Sequence, residues 1–361
     1  MTRLRAILVG AGGFGSIWVS RFLPEFVDRI VIAGLVDVNT ETLDRAGDAL
    51  GVEPACRFTE MEDAFARVDA DFCILVVQPH LRWRAVSLAV ACGLPILAEK
   101  PIADTWETSL DILCLSRESG VKMSIVQNYP HTNRIRTVKR LLEERRLGRI
   151  NYLAARFAAD YTIDSAGGAF RHQVPNAMLF EGAVHHFDQF RNLSGADGSL
   201  VSGLQWNPPW STFGNPPTAL FLIEMTNGIV CQYELNHLAK GAQNGWHHEG
   251  IRVECEHGVV EVGADDVVRT VEHLGGGRLR TTELETVTEE PDGHPSVISD
   301  FLGWLEGGPA PETAIEDNIY TAALTFSAIE AVRERAAVDV RAKVAAAGLA
   351  PVSPRFAVAV T

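Results

Sequence analysis

Basic side chains are scarce in this chain: 32 lysines and arginines stand against 46 aspartates and glutamates, a formal net charge of −14. Such a surface repels phosphate backbones and releases no counterions on meeting them, so nucleic acid is not an expected partner. Long apolar runs are missing as well. No stretch approaches the about 20 residues that a membrane-spanning helix needs. The six cysteines, Cys56, Cys73, Cys92, Cys114, Cys231 and Cys255, include no C-x-x-C pair. Most sit in apolar runs where a free thiol packs as a small hydrophobe, which predicts a reducing, cytoplasmic setting without disulfide staples. There is no internal repeat. The start, Thr2-Arg3-Leu4-Arg5 and then an uncharged stretch to Ser20, has the outline of a secretory leader. Four glycines interrupt it, so it reads instead as a strand, a glycine turn and the beginning of a helix.

At 361 residues the chain suits two domains, each able to bury its own core. Short apolar runs at Leu4–Val9, Ile30–Val36, Phe72–Val77, Leu94–Ala98 and Lys122–Val126 alternate with amphipathic segments around Ser16–Leu23, Glu41–Leu50, Arg82–Ala91 and Trp106–Ser119. That order predicts an α/β fold, a doubly wound parallel sheet of Rossmann type covering residues 1–126. The pattern then changes. A helix over Arg134–Arg146, a strand over Ile150–Tyr161 and a helix over Asn176–Asn192 lead into a strand-rich stretch. Its runs, Val201–Trp206, Ala219–Met225, Ile229–Leu235, Ile251–Glu256, Val259–Val262 and Val267–Val271, carry no helices between them. They predict a second α/β domain, residues 127–340, on an open, mostly antiparallel sheet, with Asn227-Gly228 as a hairpin turn. Helices near Val297–Leu305 and Glu316–Ala336 close the fold, and the tail 341–361 is unassigned.

Gly10-Ala11-Gly12-Gly13-Phe14-Gly15 spells G-x-G-x-x-G between a strand and a helix start. The first glycine allows the tight turn, the second lets backbone approach a pyrophosphate, and the third permits close helix packing. Asp37, at the end of the second strand, would accept hydrogen bonds from adenosine ribose hydroxyls and repel a 2′-phosphate. No arginine adjoins it in Asp37-Val38-Asn39, so NAD is favoured over NADP.

Glu99-Lys100-Pro101 follows the fifth strand, at the carboxyl edge where open α/β sheets hold ligands. A lone lysine there would ordinarily be a solvated loop charge. Farther on, Glu181, His185 and Asp188 recur at helical spacing beside Phe180, Val184 and Phe187. A carboxylate one turn before an imidazole can fix its tautomer and raise its basicity, while the bland reading is a solvated surface helix. A metal site from His185, His186 and Asp188 is disfavoured, because adjacent histidines on a helix point to different sides, and no metal is expected.

The glycine fingerprint, Glu99-Lys100-Pro101 and Glu181-Gly182-Ala183-Val184-His185-His186-Phe187-Asp188 together resemble the Gfo/Idh/MocA family over nearly the whole chain. Gln78-Pro79-His80, His294–Gly307 and Glu316-Asp317 match as well. The resemblance implies an NAD-dependent oxidoreductase acting on a sugar, cyclic polyol or sugar derivative. Cofactor contacts are then implied at Gly10, Gly12, Gly13, Phe14, Gly15, Asp37, Gln78, Pro79, His80, Glu99 and Lys100. It assigns Lys100, His185 and Glu181 to catalysis, with glutamate where many members have aspartate. In the oxidation, hydride leaves the substrate carbon, His185 takes the hydroxyl proton and Lys100 stabilises the alkoxide; the alternative gives Lys100 the proton. Substrate candidates are Asn128, Tyr129, His131, Arg171, His172, Asn176 and His186, whose polar groups suit a polyol. Trp246-His247-His248 either closes over the site or packs under its own strand. As in relatives, helix 316–336 is expected to pack back on the first domain, and a homodimer or homotetramer to form through the outer face of the sheet. Two rivals remain open: a redox-neutral enzyme that retains NAD through epimerisation, elimination or glycoside cleavage, and a non-catalytic NAD-binding regulator.

Overall fold

The computed structural model describes residues 3–162, 172, 174–241 and 245–350; Arg171 lies outside the described residues. Six parallel strands form the first sheet: β1 (Leu4–Val9), β2 (Ile30–Val36), β3 (Arg57–Phe58), β4 (Phe72–Leu75), β5 (Ile96–Glu99) and β6 (Met123–Val126). Their order, β3-β2-β1-β4-β5-β6, is that of a dinucleotide-binding doubly wound sheet. The strands are continuous apolar runs because helices cover both faces. Two elements were not expected from the sequence, the two-residue β3 and the helix Met61–Arg67, both too short to give a period. The segment expected as a helix over Ser16–Leu23 is irregular: one α-turn at Gly15–Ile17, a π-helical turn at Trp18–Phe22 and a 3-10 turn at Leu23–Phe26.

The chain divides into two units, and the division is discontinuous: Met1–Asn128 with His294–Ile319, and Tyr129–Gly293 with Tyr320–Thr361. The sequence expectation had one boundary near residue 126 and helix 316–336 as the returning element. The segment that returns to the first unit is His294–Ile319, which holds the helix His294–Leu305 and the first residues of the helix Ile315–Glu334. Its residues Val297, Ile298, Phe301 and Leu302 lie in one core with Leu8, Trp18, Phe22, Phe72 and Ile74. Each fully buried side chain of this size contributes about 1.5–3 kcal/mol, so the helix is part of that core's stability.

The second unit is built on nine strands: β7 (Ile150–Ala158), β8 (Gly198–Trp206), β9 (Thr218–Met225), β10 (Val230–Asn236), β11 (Gly250–Cys255), β12 (Gly258–Val262), β13 (Val268–His273), β14 (Leu279–Leu284) and β15 (Val338–Asp339). They run in the order β14-β13-β12-β11-β7-β10-β9-β8-β15, with β7 and β10 parallel and every other pair antiparallel. The β9–β10 turn holds Asn227-Gly228, with Gly228 at φ 85°. The helix Val184–Ser194 packs on one face of this sheet. Phe187 meets Phe221 and Tyr233 edge-on, and Phe190 meets Tyr233. The helix Ile315–Glu334 enters this unit from Tyr320 onward, where the Thr321 hydroxyl donates to Asp188 Oδ1 at 2.6 Å. The opposite face of the sheet leaves Leu204, Trp206, Leu220, Leu222 and Val230 exposed.

Candidate functional site

In the first unit the site starts at the end of β1. Gly10 has φ 95°, and a Cβ there would run into the Val76 carbonyl, so only glycine fits where the chain turns off the strand. A Cβ at Gly15 would strike the Gly10 carbonyl, which fixes how closely the following turn packs on the strand. Above Gly13 a Cβ meets nothing within 4 Å. Asp37 reaches back across this loop. Its Oδ2 accepts from the Ala11 and Gly12 N–H groups, each at 2.8 Å, and its Oδ1 from Asn39 N–H at 2.9 Å. Phe14 and Gly13 are exposed.

Glu99 closes β5 and is buried, accepting from Trp18 Nε1 at 2.9 Å. Burial pushes its carboxyl pKa up, against the opposing pull of Lys100, Trp18 and Arg82. The fully buried Arg82 donates to the Glu99 carbonyl and, at 3.0 Å, to the Val77 carbonyl, tying the ends of β4 and β5 together. Gln78 is exposed before the 3-10 turn Pro79–Leu81, Pro79 is half-buried and His80 exposed. Lys100 is half-buried, and the Lys100-Pro101 peptide is cis. Two buried amides follow β6: both side-chain polar atoms of Gln127 and the Oδ1 of Asn128 have no hydrogen-bond partner among the described residues. Unpartnered amides, an open glycine loop and a carboxylate fixed beside it, all at the carboxyl edge of one parallel sheet, fit a bound dinucleotide.

The second unit gathers a different set. A π-helical turn, Leu179–Ala183, runs straight into the helix carrying His185. Such turns add a residue to the backbone repeat and recur at functional sites. Gly182 sits where a Cβ would come within 3.1 Å of Phe157 Cε1, so the turn lies close on β7. The expected polar stripe is therefore altered: Glu181 is half-buried, while every residue from Val184 to Ser194 is buried. The surface-helix alternative falls with it. Asp188 pairs with Thr321 and lies 3.6 Å from Arg191, a structural role.

Tyr129, only 1 % exposed, stacks on His185 with ring centroids 4.5 Å apart and on His247 at 5.2 Å. Its hydroxyl donates to Glu249 Oε1. Burial first, and Glu249 second, hold the Tyr129 pKa far above its ordinary value. His186 is fully buried, with Nδ1 2.8 Å from the Tyr233 hydroxyl and Nε2 3.8 Å from Glu249. Burial opposes ionisation of Glu249, yet His186 and the Tyr129 hydroxyl carry its pKa below the usual carboxylate value. Arg134 NH2 lies 3.5 Å from Glu249 Oε2. Trp246 packs against Phe157 at 4.8 Å and edge-on to His185 at 6.2 Å. His172 Nε2 donates to the Tyr161 carbonyl, 3.0 Å away, and its ring stacks on Phe213. Asn176, at φ 55°, and His131 are half-buried. Sequence reasoning passed over Glu249 altogether. Among the described residues no group of three or more His, Cys, Asp or Glu is arranged to hold a metal ion, and no helix is long and apolar enough to cross a membrane.

Comparison with known proteins matches residues 4–127 to the oxidoreductase family with an NAD-binding Rossmann fold and residues 135–261 to the GFO/IDH/MocA C-terminal domain. The uncharacterised protein y4oX of Sinorhizobium fredii is 35 % identical over 91 % of this chain and 93 % of its own. Inositol 2-dehydrogenase 4 of Saccharopolyspora erythraea is 29 % identical over 76 % of this chain and 77 % of its own. In fold, the chain resembles an oxidoreductase from Agrobacterium radiobacter solved in complex with NAD+, L-tartaric acid and magnesium. That likeness has a TM-score of 0.81 at 19 % identity, over 95 % of this chain and 100 % of the other. With both family domains matched in order along the chain and a relative 35 % identical over 91 % of it, the chain belongs to the Gfo/Idh/MocA family of oxidoreductases.

Proposed function

We propose that this chain is an NAD-dependent dehydrogenase that moves a hydride between nicotinamide and a carbinol carbon of a sugar, cyclic polyol or sugar derivative. The observation that carries the reading is the carboxylate of Asp37, held by three backbone N–H groups beside the glycine loop. An anion fixed there suits ribose hydroxyls and repels a 2′-phosphate, which favours NAD over NADP. When bound, the nicotinamide supplies the hydride acceptor. The chain supplies the rest. His185 takes the hydroxyl proton, Lys100 stabilises the developing alkoxide by its charge, and Glu181 assists the imidazole. In the second unit the half-buried Trp246, edge-on to His185, offers an apolar ring face of the kind a polyol stacks on. Relatives named for inositol support the class of substrate. The six free thiols accord with a reducing cytoplasm.

The test is NADH formation, followed by absorbance, across inositols, aldoses and sugar acids. Product that accumulates with NADH supports the dehydrogenase. Altered sugar products with tightly held NAD and no net NADH would replace it with the redox-neutral enzyme, and ligand binding without any turnover with the regulator.

Asp37→Asn keeps an oxygen for the Ala11 and Gly12 N–H groups but removes the charge. The ratio of kcat/KM for NADP to that for NAD is expected to rise roughly tenfold or more, about 1.4 kcal/mol of lost repulsion. An unchanged ratio in steady-state kinetics would mean that Asp37 does not choose the cofactor.

A second copy of this chain is the proposed cover for the outer sheet face. Leu204 and Leu220 are cross-strand partners there, with Leu222 and Trp206 beside them, all exposed. A contiguous apolar patch of this kind marks an association surface. Leu222→Glu is expected to convert a dimer or tetramer to monomer in light scattering after size exclusion; a wild-type monomer would overturn the assignment.

A further inference from the structure

Glu249 is only 2 % exposed, and burying a carboxylate is costly unless its partners compensate. Its partners converge from four directions. Tyr129 comes from the turn after β6, Arg134 from the helix Asn133–Glu143, His186 from the histidine helix, and His247 gives its backbone N–H at 3.1 Å. One of these links leads to the proposed reaction. The Tyr129 ring whose hydroxyl Glu249 receives lies 26° from parallel to the His185 imidazole, at 4.5 Å.

We propose that Glu249 is a positioning residue that holds Tyr129 by its hydroxyl as an electron-rich platform against His185. A phenol donating to a carboxylate gains electron density on its ring face, and that face attracts a cationic imidazolium more than a neutral imidazole. The platform thus favours the protonated form that His185 reaches on taking the carbinol proton, and it fixes the plane of the ring. His247, near-parallel to the same tyrosine at 5.2 Å, and Trp246, edge-on to His185, limit the movement of both rings. Of the charged and titratable groups, Glu181 and His186 share the helical segment of His185, and Tyr129 stacks on it from the turn after β6. Glu249 and His247 stand before β11, Tyr233 lies on β10 and Arg134 on the helix that pairs with Glu249.

This inference rests on His185 as the proton-transfer group, but its test does not require turnover. The pKa of His185 is measured by long-range proton–nitrogen correlation in histidine-labelled protein, together with the pH profile of kcat. Tyr129→Phe keeps the ring and the Glu249 charge but removes the hydroxyl that joins them. It is expected to lower the His185 pKa by about half a unit or more, to shift the profile equally, and to reduce kcat more than KM. Glu249→Gln is expected to shift the pKa in the same direction, and combining the two should add little. If Tyr129→Phe folds and His185 titrates as in the wild type, Glu249 acts only through space or only on stability, and the platform is wrong. Should Glu249→Gln fail to fold, Tyr129→Phe decides alone. Absence of NADH formation in the wild type would remove the dehydrogenase reading and leave the titration result standing.

Discussion

Replacing His185 by alanine is expected to cut turnover by roughly 10²- to 10⁴-fold, the usual contribution of a positioned proton-transfer group, while NAD binding stays intact. His185 belongs to the second unit and the Asp37-anchored loop to the first, so the two readouts separate. Lys100→Ala is expected to cost roughly 10²- to 10³-fold, as loss of a charge aimed at a developing oxyanion does. Residues that act as a unit are not additive, so the double variant should be little worse than the poorer single one. Steady-state kinetics across pH then assign the roles. If His185 is the base, the low-pH limb of kcat disappears in His185→Ala and survives in Lys100→Ala. The reverse pattern gives the proton to Lys100. Equal activity in all three proteins would end the catalytic assignment of both residues.

The second large effect is structural. Arg191 is fully buried, donating to Asp197 Oδ1 at 2.7 Å and Thr321 Oγ1 at 2.8 Å, with Asp188 Oδ1 at 3.6 Å and the Tyr320 ring at 5.7 Å. Arg191→Met fills much of the volume but leaves two carboxylates without their shared cation. Breaking a buried pair from one side costs about 3–5 kcal/mol. For a unit of this size that is roughly 6–20 °C in Tm, read by calorimetry. Arg191→Lys should recover little, since an ammonium cannot reach Asp197 and Thr321 with separate nitrogens as the guanidinium does. Adding Asp197→Asn to Arg191→Met should restore part of the loss; if it does not, the destabilisation is one of packing rather than charge.

The parallel strands could be read from the sequence because both their faces are buried, which leaves unbroken apolar runs such as Ala6-Ile7-Leu8-Val9 and Phe72-Cys73-Ile74-Leu75. β14 could not, because Leu279–Leu284 is exposed along nearly its whole length and carries no alternation. The second sheet is mostly antiparallel, as its helix-free run of strands predicts, but which pair is parallel is not legible. β7 and β10 pair in parallel across a connection that holds the helix Val184–Ser194 and two further strands, and neither strand's own residues mark that direction. At the site, Gly10, Gly15 and Asp37 were legible because backbone sterics and a fixed spacing restrict what can stand there. The hydroxyl that makes Tyr129 a substrate candidate in the sequence donates to Glu249 in the fold. Glu249 itself lies just before a strand, in a chain rich in acidic residues, and nothing in its neighbourhood marks it as buried. Its importance comes from tertiary partners contributed by three separate elements.

The discontinuous division of the chain sets an order of assembly. On the ribosome the strands of the first sheet emerge early, but the helix His294–Leu305 that fills its core emerges only after the eight intervening strands β7 to β14 have been made. At ordinary elongation rates that interval is on the order of ten seconds, long compared with hydrophobic collapse. The first domain to begin folding is thus among the last to be completed, and the nascent chain carries an open apolar seam on its sheet until Val297, Ile298, Phe301 and Leu302 arrive to seal it.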